Sequence, residues 1–290
     1  MSRTFLITGV STGLGRAFAR EALAAGHRVV GTVRQAHQMA EFTDLAPGRA
    51  VGMLLDVTDE HAVDTVVQRI EEETGPIDVL VSNAGYGLEG TVEESSLADL
   101  RRQFDVNVFG TVAVVKAVLP HMRRRRSGHI VTLSSMAGLT ALPGVAFYGA
   151  SKFAVEGFSA SLAQEVAPFG IHVTSLALGS FRTDWAGRSM VRVPRTISDY
   201  DTVFDPIRAA RRDKDGKQVG DPERAAKALM TVLEAEDPPV HLLLGSDALH
   251  LVRKGRRQLQ EDMDAWAYLT ASTDFPANDP SAAATGPGAT

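Results

Sequence analysis

The stretch Thr4 to Gly15, TFLITGVSTGLG, decides the fold. Its first five residues are a short apolar run, and Gly9 ends it. From Gly13 to Ala25 apolar side chains recur at Leu14, Ala17, Phe18, Ala22 and Leu23, the spacing of one helix face. Strand, glycine loop and helix in that order open a βαβ unit. Glycines let the backbone turn tightly and come close to a pyrophosphate, whose charge a helix N-terminus favours.

The loop is not a G-x-G-x-x-G, because Phe18 occupies the third glycine's place. Gly9 to Gly13 also spells G-x-S-x-G, which in a hydrolase would mark Ser11 as a nucleophile. That elbow normally sits on a later strand and needs an acid and a histidine in context. Here the serine follows the first strand, so the nucleotide-binding reading is taken.

Working outward, Arg28 to Val33 and Ala50 to Leu55 read as the second and third strands. Asp78 to Ser82, His129 to Ser134, Ile171 to Ala177 and Val240 to Leu244 supply four more. Helical patterns alternate with them: Glu60 to Thr74 capped by Asp59, Leu97 to Met122, the segment holding Tyr148 up to about Pro168, Pro222 to Glu236 and Ala248 to Leu269. The alternation predicts one domain over residues 1–269, a parallel sheet of about seven strands with helices on both faces. Between 186 and 220 the pattern breaks into Arg, Asp, Pro and aromatic residues, which predicts a partly mobile substrate lid. From Thr270 the chain is Ala, Pro, Gly, Thr, Ser and Asp, the composition of a disordered tail.

Composition narrows the function. The 290 residues carry a formal net charge of -5, which argues against nucleic acid or an anionic membrane as partner. The run Arg123 to Arg126 complements a helix C-terminus instead. There is no cysteine, which excludes disulfides, thiolate catalysis and Cys-based zinc sites. No His pair has metal-ligand spacing with a third ligand nearby, and His129 and His172 at strand starts read as structural. No stretch reaches the apolar length of a membrane span, and the N-terminus lacks a long apolar signal region, so a cytoplasmic location is expected. The expected partner is a small-molecule alcohol or carbonyl compound.

The chemistry is carried by Tyr148 and Lys152, thirteen and seventeen residues after Ser135. Four apart on a helix, phenol and ammonium share a face, so the lysine charge can favour the tyrosinate. A free tyrosine has a pKa of about 10, and work near neutrality asks for about 4 kcal/mol of differential stabilisation. Asn107 lies in the apolar run FDVNVFGTVAVV and, if buried, needs partners. Asn83-Ala84-Gly85 is a turn at the carboxyl end of the fourth strand, where open α/β sheets bind ligands. The second strand ends Thr32-Val33-Arg34, with a guanidinium where an NAD site would hold an acid. That favours NADP(H) and leaves NAD(H) possible. Met136 and Phe147 are read as apolar walls. Ala150, Ser151, Ala154 and Gly157 suit close packing, either on the sheet or in a subunit interface.

Taken together, TGVSTGLG, the NAG of Asn83 to Gly85, Asn107, Ser135 and Tyr148 with Lys152 resemble the short-chain dehydrogenase/reductase family over roughly residues 3–250. The resemblance implies a Rossmann-like, doubly wound α/β/α domain and hydride transfer between a secondary alcohol and a ketone. It places the catalytic set on Asn107, Ser135, Tyr148 and Lys152. Cofactor contacts would fall on Gly9, Ser11, Thr12, Gly13, Leu14, Gly15, Arg34, Asp56, Val57, Asn83, Ala84, Gly85, Tyr148, Lys152, Gly179, Phe181 and Thr183. The family's proline before Gly179 is Leu178 here, and Thr12 stands where many NADP-preferring members carry a base. The run Ser180 to Trp185 resembles hydroxysteroid and retinol dehydrogenases, which implies a bulky or apolar substrate. A homodimer or homotetramer is the family's expectation. The rival readings are an NAD-dependent member, a member running another reaction on a retained cofactor, and a cofactor-binding regulatory or structural protein without turnover.

Overall fold

Thr4–Thr8 is the central strand β1, buried along its whole length. A strand covered on both faces reads as a continuous apolar run rather than an alternating one. Gly13–Ala24 follows as helix α1, which turns Ala17, Phe18, Ala22 and Leu23 inward. The structure is a computed structural model and describes residues 2–275 apart from 186 and 188.

The chain continues through β2 (Arg28–Val33), α2 (His37–Thr43), β3 (Ala50–Leu54), α3 (Glu60–Arg69), β4 (Val79–Ser82) and β5 (Gly87–Glu89). Then come α4 (Leu97–Phe104), α5 (Gly110–Arg125), β6 (Gly128–Ser135), α6 (Ala146–Val166), β7 (Ile171–Leu178) and β8 (Met190–Arg192). The last elements are α7 (Asp201–Asp213), α8 (Pro222–Leu233), β9 (His241–Leu244) and α9 (Ser246–Ala271).

Seven strands form one parallel sheet in the order β3-β2-β1-β4-β6-β7-β9. One face is covered by α1, α2 and α8, with Phe18, Phe42 and Leu229 in its core. The other is covered by α3, α5 and α6, with Val63, Val114, Met122 and Leu162 inside. This is the three-layer, Rossmann-like fold expected from the alternation. The winding direction reverses between β1 and β4, which opens a crevice at the carboxyl ends of those strands.

Four departures from the sequence reading bear on the site. Strands β5 and β8 were not foreseen; they pair in parallel as a separate two-stranded sheet, and GLE and MVR are too short to show a period. The helix expected over Leu97 to Met122 is two helices joined by a π-turn, Asp105–Phe109. The segment expected as a patternless lid contains β8 and the helix α7, which buries Phe204 and Arg208. Helix α9 runs on to Ala271, past the expected start of the tail at Thr270. The greater part of that tail, 276–290, lies outside the described residues, as do positions 186 and 188 of the expected lid. No helix among the described residues is long and apolar enough to cross a membrane.

Candidate active site

A cleft of about 1590 Å³ follows the carboxyl edge of the sheet. That exceeds the space one drug-sized ligand needs, and leaves room for a dinucleotide and a substrate side by side. At one end lie Gly9, Ser11, Thr12, Gly13 and Leu14; Arg34, Asp56 and Val57 stand beside them. Thr12 caps α1 without a side-chain bond, so the first-turn N–H groups are left to the cleft and can meet an anion.

The loop fits a close phosphate approach. Gly9 has φ +73°, and a Cβ on Gly15 would stand 2.4 Å from the Gly9 carbonyl and 2.5 Å from Asn83 Nδ2. Asn83 holds this cradle: its Nδ2 donates to the carbonyls of Thr8 (2.8 Å) and Gly9 (3.0 Å). The backbone N–H groups of Asn83 and Ala84 both donate to Thr8 Oγ1. The sequence placed Gly15 among the contacts; the structure puts it beneath the loop, where it sets the loop's shape. Asp56 accepts from the N–H and hydroxyl of Thr58, and these bonds, with Arg34 nearby, hold its carboxyl below the usual range. Arg34 lines the cleft beside Asp56.

At the other end converge Ser135, Tyr148 and Lys152. Ser135 ends β6, and its Oγ accepts from the Ala137 N–H at 3.1 Å. Tyr148 is buried, and burial pushes its phenol up to about 12 while the Ser135 hydroxyl pulls it the other way. Lys152 is buried too and is lowered to about 8 by desolvation, which Glu156 opposes. Its Nζ donates to the Leu133 carbonyl at 2.7 Å and stands 5.8 Å from the centre of the Tyr148 ring. The spacing argument predicted that lysine would bring the phenol down. The protein groups alone leave it high, because the ammonium is anchored on β6 and burial dominates.

Asn107 is buried in the π-turn and does not line the cleft. Its amide clamps Tyr86 on both sides: Oδ1 accepts from the Tyr86 N–H (3.1 Å) and Nδ2 donates to the Tyr86 carbonyl (3.0 Å). Nδ2 also reaches Ser151 Oγ at 3.2 Å, and Ser151 donates to the Tyr148 carbonyl at 2.7 Å. The extra residue of the π-turn marks this position in the helix. Ser151 thus serves the site, whereas Ala150 and Gly157 are exposed.

Gly179, Phe181 and Thr183 line the cleft after β7. Leu178 stays in the strand, opposite Ser135 and Leu244, so no proline is needed to end it. The loop is pinned instead by Asp247, which accepts from the Ser180 N–H at 2.8 Å and leaves no room for a Cβ at Gly179. No local pattern signals Asp247. Trp185 lies against Tyr148, with ring centres 5.3 Å apart. Met136 lines the cleft as expected; Phe147 is not among the lining residues. Also unforeseen were Glu89, Arg192 and Arg211 on the substrate side, brought together only by β5, β8 and α7.

The chain belongs to the short chain dehydrogenase family, whose model matches residues 3–191. Fold and family together define an NAD(P)-dependent oxidoreductase acting on CH–OH or C=O groups. Among its relatives, oxidoreductase BOA17 of Botryotinia fuckeliana is 38% identical over 94% of this chain and all of its own length. Human retinol dehydrogenase 8 is 37% identical over 82% of this chain and 80% of its own. A short-chain dehydrogenase structure from Streptomyces avermitilis superposes with a TM-score of 0.89 at 36% identity, covering 95% of this chain and 100% of its own. Other similar structures were solved with NADP or with NAD bound.

Proposed function

We propose that the protein is an NADP(H)-dependent oxidoreductase that interconverts a secondary alcohol and a ketone on a bulky, largely apolar substrate. The observation that carries this reading is the convergence of Ser135, Tyr148 and Lys152 at one end of a cleft whose other end is the glycine cradle with Arg34. Bound NADPH supplies the hydride, and NADP⁺ accepts it in reverse. Ser135 donates to the substrate oxygen, and Tyr148 hands that oxygen its proton as charge develops there. Lys152 holds positive charge beside the phenol, and Asn107 fixes the Tyr86 backbone and, through Ser151, the start of the Tyr148 helix. The segment 186–220, with Trp185 at its edge, acts as the substrate lid. Support for a bulky apolar substrate comes from the relatedness to retinol dehydrogenase 8 and from the size of the cleft.

The test is a fluorescence titration with NADPH and NADH, followed by turnover of bulky ketones. NADPH binds tightly and NADH weakly, and Arg34→Asp reverses the order. Tyr148→Phe keeps NADPH affinity and loses turnover on the order of a thousandfold. Binding of neither cofactor, or undiminished turnover by Tyr148→Phe, refutes the assignment.

A further inference from the structure

The substrate end of the cleft has one wall that is basic, assembled from segments distant in sequence. Glu89, at the end of β5, is fully buried and faces three guanidiniums: Arg192 Nε at 3.1 Å, Arg211 Nη1 at 3.2 Å and Arg208 Nε at 3.4 Å. One carboxylate is thus shared by three cations. Arg208 is nine-tenths buried, and its Nε makes no hydrogen bond among the described residues. Desolvation first, and then the positive charges of Arg212, Arg192 and Arg195, lower its pKa against the pull of Glu89.

Arg211 lines the cleft and anchors its other nitrogen on the Pro143 carbonyl, at 2.6 Å. Lys214, three residues further on, caps α7; it lines the same cleft, is exposed, and forms no ion pair among the described residues. The second acid at this end is Asp184, which has a partner of its own. Arg211, Lys214 and Arg192, the last with a further partner of its own, line this end with Arg208 buried behind them, against the two acids Glu89 and Asp184. A partly desolvated excess of one sign is costly when unpaired and attracts the opposite charge into the cleft. Leu142, Val145, Trp185, Met190 and Ile207 give this end an apolar surface, interrupted by Ser189 and Gln218. A neutral, wholly apolar occupant would leave the excess uncompensated.

We infer that the substrate is an amphipathic acid, an apolar body with the reacting carbonyl or alcohol at Tyr148 and an anionic group, a carboxylate in the simplest case, held by Arg211 and Lys214. The inference rests on the oxidoreductase reading and deepens it by naming the substrate class. Glu89 is then a positioning residue: it aligns the guanidiniums and leaves the outer cations available to the anion.

The test uses the NADP⁺-loaded protein and a matched pair of probes, 3-oxo-5β-cholanoate and its primary amide, titrated by calorimetry. They share a bulky ketone body and differ in one charge. The acid binds at least about tenfold tighter than the amide at low ionic strength, and the gap narrows in about 0.5 M salt. Lys214→Glu, a change at an exposed position with no ion-pair partner among the described residues, weakens the acid about tenfold more than the amide. Arg211→Gln acts in the same direction. Equal affinities for acid and amide, binding of neither, or an acid preference untouched by Lys214→Glu overturns the inference. If neutral ketones are still reduced with NADPH, the oxidoreductase reading survives that result; if the cofactor itself does not bind, the reading beneath falls first.

Discussion

Replacing Glu156 by glutamine removes one buried charge and almost no volume, and it should move the pH dependence of reduction without removing a group that touches substrate. Glu156 lies one helical turn beyond Lys152 on α6 and is buried. Ser175 donates to its Oε1 at 3.0 Å from β7, and His241 Nδ1 on β9 lies 2.6 Å from its Oε2. Its negative charge is what opposes the desolvation that brings Lys152 down to about 8. Positions four apart on a helix are roughly 6 Å apart, and at an effective dielectric constant of about 20 Coulomb's law gives about 3 kcal/mol between unit charges. Allowing half for the partners Ser175 and His241 leaves about 1.4 kcal/mol, one decade in the protonation equilibrium.

In the proposed mechanism Lys152 works as a cation, so activity is lost as pH rises through its pKa. The wild type should lose activity around pH 8, and Glu156→Gln about one pH unit lower. At pH 8 the variant is then about fivefold slower, and the deficit closes near pH 6. The assay is kcat/KM for ketone reduction by NADPH between pH 5.5 and 9.5, with Glu156→Asp as the variant that keeps the charge. Glutamine still accepts from Ser175, so folding is retained and is checked by thermal melting. A profile parallel to wild type but uniformly lower would mean that Glu156 only supports packing, and would refute the electrostatic argument.

Three further outcomes follow from particular contacts. Asp247→Ala frees the Ser180 N–H and the loop at Gly179; NADPH affinity in a fluorescence titration should fall about tenfold, with stability lower by about 1–3 kcal/mol. Gly15→Ala forces a Cβ to within 2.4 Å of the Gly9 carbonyl; the overpacking should cost about 1–3 kcal/mol in urea unfolding and weaken cofactor binding further, because the phosphate loop must move. His129 is held down at about 4, by burial first and then by His172 and Arg3. Its folded pKa lies below the unfolded value, so the stability is present above about pH 6.5 and is lost as pH falls toward 4, by about 3 kcal/mol in all. His129→Asn should flatten that part of the curve of unfolding free energy against pH, and an unchanged slope would assign the acid sensitivity elsewhere.

The sheet could be read from the chain because the central strands are buried on both faces and several are punctuated by a glycine or asparagine at the carboxyl end, as in β1 before Gly9 and β4 before Asn83. Ser135, Tyr148 and Lys152 could be read because one turn of helix and one strand end bring them together. What a periodicity cannot carry is the direction of a side-chain terminus. The i,i+4 spacing put Lys152 on the face of Tyr148, but the ammonium went to the Leu133 carbonyl. The π-turn at Asn107 was hidden because one inserted residue does not disturb an apolar run. The basic wall around Glu89 was invisible for a different reason: its members, at 89, 192, 208 and 211, are joined only by tertiary packing, and each alone looks like a surface charge.

The two perturbed groups of the site bias it toward one direction of proton transfer. A phenol held at about 12 keeps its proton at neutral pH, which is the state an acid needs to protonate a developing alkoxide. Oxidation of an alcohol demands the opposite state, and drawing the proton from such a phenol at pH 7 costs about 7 kcal/mol. The protein's own groups do not meet that cost: Ser135 alone pulls the phenol down, and Lys152 is itself lowered to about 8. The positive charge of an oxidised nicotinamide beside the ring would offset part of it, and a neutral reduced ring none. Under the proposed mechanism Tyr148 is then a ready acid toward a ketone and a base only when the cofactor is oxidised, so that the redox state of the cofactor would set the direction in which the proton moves.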